Sequence, residues 1–97
     1  MGPFDWDEEK NARLLKERGV SFEDVVLAVA ADGLLDDLAH PNEVNFGHQR
    51  VLVVRLGEQA YAVPYVQEGE RIFLKTIYPS RKLTRRYLVE DTNEEKQ

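Results

Sequence analysis

The sequence predicts a small α+β domain in which two N-terminal helices precede an antiparallel sheet of about four strands and one C-terminal helix follows it. Three observations lead there. Apolar residues recur at helical spacing before residue 30, the pattern turns strand-like from about residue 34 to 78, and a proline followed by serine restarts a helix at residue 81. The 97 residues leave no room for two independent cores. Residues 1–90 therefore read as a single domain, and the polar residues 91–97 as a flexible tail.

Phe4 and Trp6 alternate with Asp5 and Asp7, the pattern of a very short strand running into a helix. That helix is expected from about Asp7 to Arg18, with Asp5 or Asp7 as cap, acids in its first turn and Gly19 as its left-handed stop. Ser21 with Asp24 three positions on forms a capping box for a second helix, whose Phe22, Val25, Val26 and Val29 make a buried stripe. Asp32-Gly33 ends it. Leu34 to His40 reads as a short strand, and Pro41 to Gly47 as a loop. Arg50 to Leu56 is apolar on both faces, as in a central strand. Gly57-Glu58 turns the chain into Ala60 to Val66, where Pro64 cannot donate to a ladder and so marks an edge or a bulge. Arg71 to Tyr78 is the last strand, Pro79 stops it, Ser80 caps, and Arg81 to about Glu90 is the closing helix. The expected core includes Phe22, Val26, Val29, Leu52, Val53, Ile72 and Leu74.

Composition narrows the function classes. No apolar run approaches the roughly 20 residues of a membrane span, and the acidic, polar start lacks the apolar segment of a signal peptide. Zero cysteines exclude a disulfide framework, a thiolate metal site and a cysteine nucleophile. Cytoplasmic location is the expectation. The net charge of −5 conceals a sharp asymmetry. Residues 1–70 hold 6 Lys+Arg against 14 Asp+Glu, a balance of −8. Residues 71–89 hold Arg71, Lys75, Arg81, Lys82, Arg85 and Arg86 and no acid, and the last eight residues return to −3. A basic block in an acidic chain is a local site for an anion.

The closing helix concentrates that block. At about 100° per residue, Leu83 and Tyr87 share one face while Arg81, Lys82, Arg85 and Arg86 fan across the other. Arg81 and Lys82 occupy the first turn, where the macrodipole disfavours cations, and no acid stands three or four residues away to pair with them. Local helix stability does not call for these residues; phosphate binding does. His40 and His48 have no partners at metal-ligand spacing, so no metal is expected, and His48 is a candidate acid or base. Tyr65, beside Pro64, is a candidate to present a hydroxyl or a stacking ring to RNA.

Three segments carry a family resemblance. Phe4-Asp5-Trp6-Asp7-Glu8-Glu9-Lys10-Asn11 resembles the F-x-W-D-x-x-K-N opening of BrnT-type toxins of bacterial toxin–antitoxin pairs, within the RelE/ParE-like superfamily. Gly19-Val20-Ser21-Phe22-Glu23-Asp24 is similar to their H-G-V-S-F-E-E segment. Pro79-Ser80-Arg81-Lys82-Leu83-Thr84-Arg85-Arg86-Tyr87 is similar to their S-A-R-K-A-T-x-x-E/R closing helix. The resemblance spans residues 4–88 and implies a RelE-like fold, a ribonuclease that cuts mRNA without a metal or other cofactor, and a cognate antitoxin that neutralises it. Arg81 matches the arginine of the A-R-K motif, Arg85 or Arg86 the helix arginine, and Glu23 the acid after Ser-Phe. The chain departs from the pattern where Glu17-Arg18 replaces Lys-His and where Pro64-Tyr65 falls about where relatives carry a histidine.

Cleavage of RNA without a metal requires in-line attack by the 2′-OH, stabilisation of the phosphorane and protonation of the leaving 5′-oxygen. Arg81 and Arg85 suit phosphorane stabilisation because guanidinium grips phosphate oxygens in a fork. Lys82, Arg86, Lys75 and Arg71 are the expected outer phosphate contacts. Glu23, His48, Tyr65 and Lys75 all remain open as proton-transfer groups. A catalytically inactive binding module that keeps the partner-binding scaffold is the alternative function. In either case the antitoxin is expected to cover an exposed apolar patch and to be the component that contacts DNA, which the acidic residues 1–70 would repel.

Overall fold

Asp7, Ser21 and Gly19 set the first third of the chain. The computed structural model describes residues 3–39 and 49–89; His40, the loop with His48, and the 91–97 tail lie outside them. After the short strand β1 (Phe4–Asp5), helix α1 (Glu8–Arg18) starts at Asp7, whose carboxylate accepts from the amides of Glu9 and Lys10. It ends at Gly19, where φ of 71° is open to glycine at little cost. Helix α2 (Phe22–Ala30) opens on the Ser21/Asp24 capping box, with both reciprocal hydrogen bonds formed. The buried Asn11 side chain joins the two helices: its oxygen accepts from the Phe22 amide at 2.7 Å, and its amide donates to the Glu23 carboxylate at 2.7 Å.

Strands β2 (Leu34–Ala39), β3 (Gln49–Leu56), β4 (Gln59–Glu68) and β5 (Arg71–Leu74) form an antiparallel meander. The sheet is larger than the four strands expected, and it is mixed. β1 adds to β5 in parallel, and a two-residue β6 (Tyr78–Pro79) pairs with β4, so six strands form the sheet among the described residues. Both additions are long-range pairings that hydropathy alone does not reveal. The last expected strand is also split: β5 ends at Leu74, and Lys75–Ile77 leave the ladder before β6 begins.

Pro64 accounts for that split and corrects the edge-or-bulge expectation. β4 is central, with β3 along one side and β5 and β6 along the other. Pro64 sits opposite Val51, and its carbonyl accepts from the Lys75 amide at 2.8 Å. In a strand a residue's N–H and C=O face the same side. The missing proline N–H therefore faces the side where the ladder breaks between β5 and β6, and leaves no gap toward β3.

Two faces of the sheet are covered. On one, Leu52, Val54, Val63, Tyr65, Ile72 and Leu74 pack with Leu14, Val20, Phe22 and Val25 of the helical layer. On the other, Val53, Ala60 and Ala62 are buried where the closing helix (α3, Arg81–Thr84) docks on β4. α2 turns Phe22 and Val25 squarely to the sheet; Val29, half-buried, packs against the core as expected, whereas Val26 is half-buried outside it, against expectation.

Val25→Asp should bury an unpaired carboxylate and cost several kcal/mol, enough to unfold the domain. Leu27→Asp, at a position 67% exposed, should keep a native melting curve. Thermal denaturation of both variants checks the orientation of α2.

Candidate functional site

The basic block folds into α3 and the π-helical turn that continues it, Arg85–Val89. Ser80 caps α3 by accepting from the Leu83 amide. The helix departs from α geometry just past Thr84. Its hydroxyl donates to the Ser80 carbonyl, four residues back, and accepts from the Ala60 amide at 2.8 Å. Such back-bonding competes with the helical ladder and bends it, and here it also pins the helix to β4.

Leu83 and Tyr87 turn toward the sheet, and Arg81, Lys82, Arg85 and Arg86 are exposed, as the helical spacing predicts. The four cations divide between two flanks. Arg81 and Arg85, with Gln59 and Thr84, line a shallow cleft of about 230 Å³. Lys82 and Arg86 rim a second groove of about 540 Å³, floored by Leu38, Val51, Pro64 and Tyr78. None of the four is paired with a carboxylate among the described residues, whereas Arg50 pairs with Asp37 and Arg71 with Asp5. Arg86 lies over the Tyr87 ring, 5.5 Å from its centroid.

The remaining sequence candidates do not all join them. Lys75 is exposed over the Phe73 ring, on the same sheet face as the groove. Arg71 is on that face too, but its guanidinium is engaged by Asp5 at 3.2 Å. Tyr65 is only 3% exposed and belongs to the opposite face, where its hydroxyl donates to the Asp37 carboxylate at 2.9 Å. Burial first, then Asp37, raises its pKa. It presents neither a free hydroxyl nor a ring to RNA, contrary to the expectation. Glu23 begins α2, also on that opposite face, and the Asn11 amide holds its carboxyl below the usual range. It therefore stands apart from Arg81 and Arg85. The fold separates them because α2 and α3 cover opposite sides of one sheet. His48 lies outside the described residues.

Two groups at the α3 face escape the sequence reading. Tyr78, 42% exposed, lines the groove together with Lys82 and Arg86. Its position just before Pro79 was the available signal, since proline ends the ladder there. Asp36 on β2 accepts a hydrogen bond from the Tyr87 hydroxyl and ties the π turn to the sheet edge. The Tyr87 bond foremost, then the Asp37 amide, lowers the Asp36 pKa, with a further contribution from the Arg86 charge; Tyr87 in turn is raised.

Among the described residues no three of His, Cys, Asp and Glu converge as metal ligands, and no helix is long and apolar enough to cross a membrane. No protein-family model, curated protein or solved structure matches the chain.

The Asp36–Tyr87 bond sets a pH dependence. A carboxyl lowered in the folded state contributes stability above its unfolded pKa of about 3.9, and that contribution is lost as pH falls through the folded value. Docking of Arg85–Leu88 should loosen as pH drops below about 4. NMR of the Tyr87 ring should report a titrating change in wild type. In Asp36→Asn that titration should be absent.

Proposed function

We propose that this chain is a RelE-like, metal-independent ribonuclease toxin of a toxin–antitoxin pair, which cleaves mRNA in the cytoplasm. The observation that carries the reading is the exposed set Arg81, Lys82, Arg85 and Arg86, unpaired with any described carboxylate in a chain rich in acids. Arg81 and Arg85 share one cleft and would hold the scissile phosphate and the charge that grows on the phosphorane. Across the helix, Lys82 and Arg86 would hold flanking phosphates while Tyr78 and Pro64 offer a surface for a base to stack on. Lys75 and Tyr78 are candidates on this face to move a proton, and His48 remains one as well. A cognate antitoxin that covers the apolar groove would mask Lys82 and Arg86 with it, and would supply any contact to DNA.

A second reading has an observation of its own. Tyr65 and Glu23 stand across the sheet with their hydrogen bonds committed to Asp37 and Asn11. A toxin-like scaffold that binds its partner without catalysis fits that placement.

Induced expression with and without a candidate antitoxin, joined to an RNA cleavage assay, separates the two. Arg81→Ala should lower cleavage about 100-fold or more, the scale of one lost charge-stabilising donor. Its melting temperature should barely move, because the side chain is exposed and unpaired. Arg81→Lys should also fail largely, since a point charge cannot replace the fork. Tyr65→Phe should do the reverse, costing about 1 kcal/mol of stability and leaving cleavage intact. Wild-type protein that neither cuts RNA nor slows growth would favour the binding module.

A further inference from the structure

In the β5/β6 break the Ile77 carbonyl accepts from Arg18 of α1, and Thr76 closes a separate cleft against that helix. Leu14 forms its buried floor, and Lys10, Arg13, Arg18 and Thr76 stand around it. Its volume is about 120 Å³, room enough for one tetrahedral oxyanion.

The charges in this cleft are unspent. Three of the six cations in residues 1–70 line it, although that stretch holds fourteen acids. None of the three is paired with a carboxylate among the described residues, not even with Glu17 on the cleft wall. Glu17 leaves the lining at a net +2. Arg18 is already positioned: its guanidinium donates to the Ile77 carbonyl, and its remaining N–H groups stay available. A held guanidinium, a half-buried ammonium and a hydroxyl over an apolar floor are the donor set of a phosphate group.

We propose that the α1 cleft is a phosphate-binding site, with Lys10, Arg13 and Arg18 as charged contacts and Thr76 as the hydroxyl donor. Its ligand is either a backbone phosphate of single-stranded RNA or a free phosphate. The site is independent of the closing helix, and inorganic phosphate is the probe that keeps it so.

The test is NMR titration of the full-length chain with inorganic phosphate at constant ionic strength. Amides of Lys10, Arg13, Arg18 and Thr76 should shift, and the Lys10→Gln/Arg13→Gln variant should bind at least about tenfold more weakly. Lys16→Gln, on the same helix outside the cleft, should bind as wild type does, and melting curves should show all variants folded. A short single-stranded RNA is then bound by Arg81→Ala/Arg85→Ala protein, with and without the cleft substitutions. If the cleft substitutions weaken RNA binding and flatten the salt slope by about 0.7 per lost contact, the source is nucleic acid. If they weaken only phosphate binding, the source is free phosphate. Shifts confined to Arg81–Arg86, or phosphate affinity unchanged by the double substitution, would overturn the proposal and leave the reading of the closing helix standing.

Discussion

Leu52, Val53 and Val54 are three consecutive strand residues with no solvent exposure. Because side chains alternate across a strand, three in a row can be buried only if both faces of the sheet are covered. The rest of the molecule follows from that requirement. Among the described residues, two helices joined through Asn11 cover one face and the short closing helix covers part of the other. What the described residues leave open is the groove over Leu38, Val51, Pro64 and Tyr78, beside the basic helix.

The neighbouring aspartates of β2 show how the two layers are tied at the sheet edge. Asp36 and Asp37 point to opposite faces, and each accepts a tyrosine hydroxyl from its own side, Tyr87 from the closing helix and Tyr65 from the helix-covered core. Asp37 has Arg50 as a further partner, whereas Asp36 relies on Tyr87 and its neighbour's amide. The attachment on the closing-helix side therefore rests on fewer partners. The helix that carries the cations is held at its first turn by Thr84 and Ala60 and farther along by one carboxylate.

Charge is distributed by the same logic. Arg50 and Arg71 are neutralised by carboxylates that strand pairing brings beside them, Asp37 across β2/β3 and Asp5 across β1/β5. The cations on helix surfaces have no such partners among the described residues. Four are exposed on α3 and the turn that continues it, and three line the α1 cleft; clustered cations attract anions at short range where net charge would repel them.

The sequence by itself determined the local structure. The Ser21/Asp24 box, the Gly19 stop, the Ser80 cap and the β2–β5 meander depend on residues close together in the chain and were legible from spacing. The outward fan of Arg81, Lys82, Arg85 and Arg86 was legible for the same reason. Spacing left Asp5 and Asp7 both open as the first cap, and the fold chose Asp7. Tertiary structure alone decided what depends on long-range pairing: the parallel addition of β1, the break at Lys75–Ile77, and the choice of Val25 over Val26 as the residue facing the sheet. It also decided which candidates share a site. Tyr65 and Glu23 have suitable chemistry, but whether a strand residue faces Arg81 depends on register, and one face of the sheet excludes the other. Spacing along the chain carries the period of each element, not the face toward which the folded sheet turns it.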